Sequence, residues 1–225
     1  MSEEPRAHSG EHVLFQSLSR VFKGIESVKV EIEPDKKQLF VKYDEEIDWN
    51  GILKAEKIAN KIIQENRKVK ITVGDREKLR KKYGNKLRGR WDLIKDKTIR
   101  IVEVEDFDCV ACKGKHVERT TEIGFIVVKS FNKLGKNEYE IQFEVGEKAR
   151  EYALESKKVA MSVIDILGTT SDKVEKTTRN LKEEILRLRK SLKETSKKSM
   201  ENIEYEEIKG IKFYSKVFDG WIKKN

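Results

Sequence analysis

The chain of 225 residues is lean in hydrophobic side chains (37%) and rich in charged ones (40%), so one sizeable core with a solvated appendage is expected rather than several packed domains. Its formal charge of +9 suits a polyanionic partner, RNA or DNA, with a lysine-rich solubility surface as the equal, bland alternative. Two cysteines at C-x-x-C spacing make no disulfide framework. No apolar run approaches the ~20 residues of a membrane helix, and the polar N-terminus lacks a secretory hydrophobic stretch, so the expectation is a cytoplasmic chain with no membrane contact.

In chain order, Pro5 precedes a helix over about residues 8–23 that stops at Gly24, with Val13, Leu14, Leu18, Val21 and Phe22 at helical spacing. Residues 27–33 alternate in period two, Pro34-Asp35 turns the chain, and residues 38–43 continue as a second strand. Asp48 is placed to cap a helix to about Arg67 whose inward face is Ile52, Ala55, Ala59, Ile62 and Ile63. A short strand over 69–73 and a basic helix over 75–83 follow. Residues 98–104 read as a strand, Asp108 to His116 as a loop, and about 124–130 and 138–145 as a strand pair around Gly135. The fold class is therefore α+β, an antiparallel sheet with packed helices over residues 1–146.

Beyond Gly146 the character changes. Residues 147–167 read as helix, and Val174, Thr178, Leu181, Ile185, Leu188 and Leu192 then alternate spacings of four and three, a heptad seam flanked by Lys, Glu and Arg. Residues 147–200 are expected to form a helical hairpin or coiled coil, with a homodimer as one use of it. Residues 201–225 form a short tail in which Ile208 to Phe218 reads as a strand.

The chemistry concentrates in two short pairs. His8 and His12 sit four residues apart on a predicted helix, so both rings leave one face. Cys112 and His116 have the same spacing in a glycine-containing loop. The chain's three histidines all fall in these pairs, and two N/S pairs supply the four ligands that a tetrahedral zinc takes. Either pair alone would be common by chance; together they point to one zinc ion per chain. Cys109 leaves a second ligand set open, both cysteines with His116 and only one N-terminal histidine. A thioredoxin-like use of the C-x-x-C is disfavoured, because that chemistry wants the motif at a helix start.

These residues also carry a family resemblance. Arg6-Ala-His-Ser-Gly-Glu-His12 resembles the R-x-H-x-x-x-H opening of the alanyl-tRNA editing proteins and of the matching editing domain of alanyl-tRNA synthetase. Phe107-Asp-Cys-Val-Ala-Cys-Lys-Gly-Lys-His116 resembles their second motif, and Thr120-Thr-Glu-Ile-Gly124 their T-G-E-I-G, with Thr121 in place of the first glycine. Ile58 to Arg67 is similar to the helix between the motifs, and the helices after Gly146 resemble the synthetase's linker to its C-terminal domain. The resemblance implies an editing-domain fold, zinc on His8, His12, Cys112 and His116, and a trans-acting deacylase that hydrolyses tRNA(Ala) mischarged with serine or glycine.

Within that expectation Glu11 is the nearest general base, although a regular helix turns it about 100° from His12. Thr120 is the candidate polar contact to substrate, with a hydrogen-bonded turn threonine as its equal alternative. Arg6, Lys81, Lys82, Lys86, Arg88 and Arg90 are candidate RNA contacts, interleaved with Tyr83 and Trp91 for stacking. Two other function classes remain open. His8-Ser-Gly-Glu-His12 satisfies the H-x-x-E-H of a metallopeptidase, which would need a third ligand, usually a carboxylate, and would leave Cys112 and His116 unexplained. An RNA-binding module with a structural zinc is the non-catalytic reading.

Overall fold

The computed structural model describes residues 3–89, 94–201 and 206–213. The chain divides into two compact units, Met1–Lys158 and Val159–Asn225.

In the first unit, helix α1 (Glu3–Val21) leads into a hairpin of β1 (Glu26–Glu33) and β2 (Lys36–Lys42), then α2 (Trp49–Gln64), β3 (Val69–Asp75) and α3 (Arg76–Tyr83). Strands β4 (Thr98–Val104) and β5 (Asp108–Ala111) follow, then β6 (Ile126–Gly135), β7 (Glu138–Val145) and the start of α4 (Gly146–Ile166). All strand pairs are antiparallel, in a four-stranded sheet ordered β1-β2-β7-β6 and a three-stranded sheet ordered β3-β4-β5. The α+β expectation with antiparallel pairing holds.

Local chemistry explains the elements. The Asp48 carboxylate accepts the Gly51 N–H at 2.8 Å and caps α2, whose apolar residues recur at helical spacing and are buried. α1 is buried on almost every side, with Val13, Leu14 and Leu18 fully covered, so it forms the centre of the unit rather than a surface helix. A Cβ at Gly10 would lie 2.6 Å from Val145 Cγ1, so glycine is what lets α1 approach β7. One cluster joins α1, α2 and the inner faces of β2, β6 and β7 to Val102 and Val104. A smaller one gathers Leu79, Tyr83, Ile99, Ile101 and Cys109. Burying each large aliphatic or aromatic side chain contributes about 1.5–3 kcal/mol.

The two clusters lie on opposite faces of β4, because successive side chains of a strand alternate. Arg100 shares a face with Val102 and Val104, while Ile99 and Ile101 point the other way. β5 continues this order: Asp108 pairs with Val104 and Cys109 with Glu103. Residues 108–111, a loop by their sequence, are a strand instead. β4 offers them a complete pairing edge, although four residues with an aspartate carry little β signal of their own.

In the second unit, α4 ends and α5 (Val174–Glu201) runs for 28 residues. The expected seam is on α5, where Ile185 (50%) and Leu188 (56%) lie exposed in this single chain as an apolar stripe. The tail forms a hairpin of β8 (Glu206–Ile208) and β9 (Ile211–Phe213) around Lys209 and Gly210, both at positive φ. The expected strand to Phe218 lies outside the described residues beyond 213. Among the described residues no helix is long and apolar enough to cross a membrane.

Candidate metal centre

His8 and His12 project from α1, one turn apart, toward the loop that leaves β5. There Cys112 Sγ lies 3.2 Å from His8 Nε2 and 3.4 Å from His116 Nε2. The three imidazole centroids are 5.3, 4.7 and 4.6 Å apart. One donor atom from each of His8, His12, Cys112 and His116 falls within 4.8 Å of all the others. Tetrahedral zinc with bonds of about 2.0–2.3 Å has donor-to-donor edges of about 3.3–3.8 Å, so the set fits such an ion with small adjustments.

The electrostatics also suit a metal. Burial lowers the proton affinity of all three histidines: His116 falls to about 3, His12 well below the ordinary value, with neighbouring imidazoles adding to both, and His8 is lowered as well. They are held neutral, which is the ligating form. His12 Nδ1 is buried with no hydrogen-bond partner, and Asp108 Oδ2 stands 3.7 Å from it. Burial raises the Cys112 thiol, opposed by the Gly114 N–H that points at its sulfur from 3.4 Å.

A supporting layer fixes the four. Ser9 Oγ accepts the Val117 N–H at 3.1 Å and lies 3.2 Å from His116 Nδ1, so the ring's other nitrogen is the one turned to Cys112. Arg100 Nη1 donates to the carbonyls of Cys112 at 2.9 Å and Gly114 at 2.5 Å, closing the ligand loop onto β4. A Cβ at Gly114 would sit 1.9 Å from His8 Cε1, so only glycine allows the loop to lie against that ring. Arg88 binds Asp108 through two bonds of 2.9 and 3.0 Å and lies over the Phe15 ring, which anchors the carboxylate beside His12.

Glu11 does not point away. It is 4% exposed, its Oε2 lies 3.7 Å from His12 Nε2, and burial pushes its carboxyl up to about 7 against the pull of Arg88. Cys109 lies across the strand in the smaller cluster, where burial pushes its thiol up to about 12, and it is absent from the group of convergent donors. The alternative ligand set with Cys109 is therefore corrected by strand alternation.

The remaining candidates are placed as follows. Thr120 is fully buried; its hydroxyl donates to Ile62 O at 2.8 Å and accepts the Arg67 N–H at 2.9 Å, tying the end of α2. Arg6 is half-buried and donates from Nε to Glu122 O at 3.0 Å. Lys81, Lys82 and Lys86 are exposed, whereas Arg88 is engaged with Asp108. Arg90 and Trp91 lie outside the described residues. Tyr83, read as a stacking residue, is buried with its hydroxyl 2.9 Å from Thr72 Oγ1, a correction that the apolar Leu79/Tyr83 pair at i, i+4 spacing accounts for. Sequence reasoning missed Ser9, Arg88 as the partner of a buried carboxylate, Arg100, Asp108 and Gly114. Of these only Gly114 left a trace, as a glycine between two ligands.

A family model described as the threonyl and alanyl tRNA synthetase second additional domain matches residues 99–140, which include Cys112 and His116. The alanine–tRNA ligase of Methanococcus maripaludis (strain C5) is 27% identical over 202 residues, 89% of this chain and 22% of the ligase. That of Thermococcus kodakarensis is 26% identical over 224 residues, 96% of this chain and 24% of the ligase. The alanyl-tRNA editing protein AlaX-L of Pyrococcus horikoshii is 33% identical over 142 residues, 63% of this chain and 34% of that protein. The chain thus spans a fifth to a third of the length of these relatives.

Proposed function

We propose that this chain, a relative of the alanyl-tRNA editing proteins, hydrolyses the ester bond of tRNA(Ala) mischarged with serine, and with glycine as a second substrate. The observation that carries the reading is the convergence of His8, His12, Cys112 and His116, the ligands of one zinc ion in this proposal, within a chain similar to AlaX-L. In the reaction the oxygen of water attacks the ester carbonyl, the bond to the ribose oxygen breaks, and the proton given up by water passes on to that oxygen, so that free amino acid and tRNA leave. A zinc held by these four side chains would supply Lewis acidity, polarising the carbonyl or lowering the pKa of water toward ~7.

The chain's own residues do the rest. Burial keeps the imidazoles unprotonated and available as donors, Ser9 and Arg100 hold His116 and the ligand loop in register, and the Arg88–Asp108 pair backs His12. Glu11, buried with its Oε2 3.7 Å from His12 Nε2, is the group assigned to take the proton of the attacking water. Glu11→Gln should lower kcat at least tenfold with zinc retained; an unchanged kcat removes this role. The exposed Lys81, Lys82 and Lys86 are assigned to tRNA phosphates, and the uncovered α5 seam to a second copy of the chain, in a cytoplasmic enzyme.

The four-donor set contains no carboxylate, which speaks against the peptidase reading. Its closed character favours the second reading, an RNA-binding module with a structural zinc. Seryl-tRNA(Ala) deacylation, measured beside casein cleavage and binding of uncharged tRNA, separates the three. Hydrolysis of the seryl ester is expected; tRNA binding without hydrolysis would leave the structural-zinc module standing instead.

A further inference from the structure

One edge of the four-stranded sheet is only partly closed. β6 is an outer strand of that sheet, and side chains of α2 reach the edge of β6 that faces away from β7. Asn60 accepts the Ile126 N–H at 2.9 Å and donates to the Ile126 carbonyl at 2.8 Å, and Glu56 accepts the Val128 N–H. Ile126 and Val128 sit opposite Val145 and Phe143 of β7, so they belong to the alternate positions whose backbone groups point outward. Phe131 and Lys133, opposite Ile141 and Tyr139, continue that set beyond the bulge at Lys129. Their N–H and carbonyl groups therefore also point outward, and among the described residues nothing takes them up.

The open stretch is flanked by apolar side chains. Trp49 and Leu53, one turn apart on α2, are each 48% exposed, and the Trp49 ring meets the Phe131 ring edge-on at 5.0 Å. An unpaired strand edge beside exposed apolar groups is a template for another strand, and aromatic side chains are enriched in the centres of protein interfaces. The two ends of the patch differ in charge. Toward the capped end α2 carries the exposed Lys54 and Lys57. At the other end the loop before α2 carries the exposed Asp44, Glu45 and Glu46. That loop is tied to the β6–β7 turn, where Asn137 Nδ2 donates to Asp44 at 2.8 Å and the Tyr139 hydroxyl to the Glu45 carbonyl at 3.0 Å. Lys133 and Lys136 offset only part of its charge. A surface with opposite charge at its two ends complements a copy of itself turned about a two-fold axis, whereas a nucleic acid would be repelled at the acidic end.

We propose that two copies of this chain pair through β6, antiparallel about Asn132, with Phe131 of each copy opposite Lys133 of the other. Trp49, Leu53 and Phe131 of both copies then close into one apolar cluster, and the lysines of α2 meet the acidic loop of the other copy. The inference does not rest on the deacylase reading, and the contact is separate from the α5 seam.

The test is sedimentation equilibrium of the full chain over a wide range of concentration. Lys133→Pro removes one outward N–H while leaving the pairing with β7, as an edge strand tolerates. Leu53→Lys puts a charge into the apolar cluster from a position already at the surface, and it carries the test if proline disturbs the strand. Each should raise the dimer dissociation constant at least tenfold with the far-ultraviolet circular dichroism spectrum unchanged. Asn132 lies on the axis, at a non-hydrogen-bonded pair whose Cα atoms are about 4.5 Å apart, within reach of a disulfide. Asn132→Cys should therefore give a covalent dimer under mild oxidation, whereas Lys136→Cys and wild type should not. A chain that stays monomeric overturns the proposal, and weaker tRNA binding by Leu53→Lys in such a monomer would give the patch to RNA instead. A dimer that Leu53→Lys does not weaken also overturns it, in favour of another contact such as the α5 seam. A dimer that Leu53→Lys weakens but Asn132→Cys does not cross-link overturns the antiparallel pairing about Asn132.

Discussion

The two faces of the β4–β5 ladder carry different chemistry on the same pair of strands. On one face Arg100, Asp108 and then Cys112 turn toward α1, and each of these polar groups has a defined partner. Arg100 holds two carbonyls, Asp108 holds Arg88, and Cys112 meets two histidines. On the other face Ile99, Ile101 and Cys109 pack against Leu79 and Tyr83, and cysteine there is a small hydrophobe. The strands are the same and the two cysteines are three residues apart, so parity along the strand separates chemistry from packing. Buried polar groups on the first face depend on each other, so a single change there should propagate; on the second face a change should stay local.

The largest expected effect breaks the buried pair. Arg88→Met leaves the Asp108 carboxylate buried and uncompensated, which costs about 3–5 kcal/mol. Cys109→Ala on the opposite face should cost only about 1 kcal/mol. Urea unfolding of both variants measures the contrast directly, and equal losses would erase the distinction between the faces.

Gly114→Ala comes next. The added Cβ would meet the His8 ring at 1.9 Å, so the loop must withdraw from one ligand. A loss of about 10–100-fold in zinc affinity is expected, the range typical for disturbed support of a metal ligand, with the unfolding midpoint of the metal-free protein little changed. Chelator competition reads the first and urea unfolding the second.

Acid should separate the groups on the metal face. In the metal-free protein the histidines bind protons less readily when folded than at the ordinary value of 6.5, with His116 lowered to about 3. The unfolded chain therefore takes up more protons as pH falls below 6.5, and stability is lost with acid. Glu11 acts in the opposite sense: raised from 4.5 to about 7, it favours the folded state on the acid side and loses that contribution as pH rises through 7. Metal-free wild type should lose stability from pH 6.5 downward, and Glu11→Gln should lose it more steeply between 6.5 and 4.5. A Glu11→Gln profile parallel to wild type would show that this carboxyl does not titrate differently in the fold.

The smallest effect belongs outside the ladder, on α5, where charges pair one turn apart in water. Arg187 and Glu184 lie 2.7 Å apart, yet Glu184→Ala should leave the thermal transition of the helix, followed by circular dichroism, unchanged within error, because an exposed pair is screened by water.

These contrasts also explain what is legible in the sequence. The strand over 98–104 and the α2 core face follow from periodicity, because alternation and helical spacing are local properties. The four donors are readable because three histidines in two pairs is an uncommon concentration. Ser9, Arg100 and Asp108 are not, because each acquires its meaning from a partner about a hundred residues away or across a ladder whose short strand has weak local signal. Cys109 is ambiguous for the same reason: once 108–111 is a strand, C-x-x-C spacing puts its two sulfurs on opposite faces.

The most direct test pairs zinc content with seryl-tRNA(Ala) deacylation in Cys112→Ala and Cys109→Ala. Cys112→Ala is expected to lose both the metal and the activity, while Cys109→Ala keeps one zinc per chain and a rate within about twofold of wild type, as expected for a packing change away from the chemistry. Deacylation that persists in zinc-free Cys112→Ala, or a loss of zinc in Cys109→Ala, would overturn the assignment of one face to the metal and the other to packing.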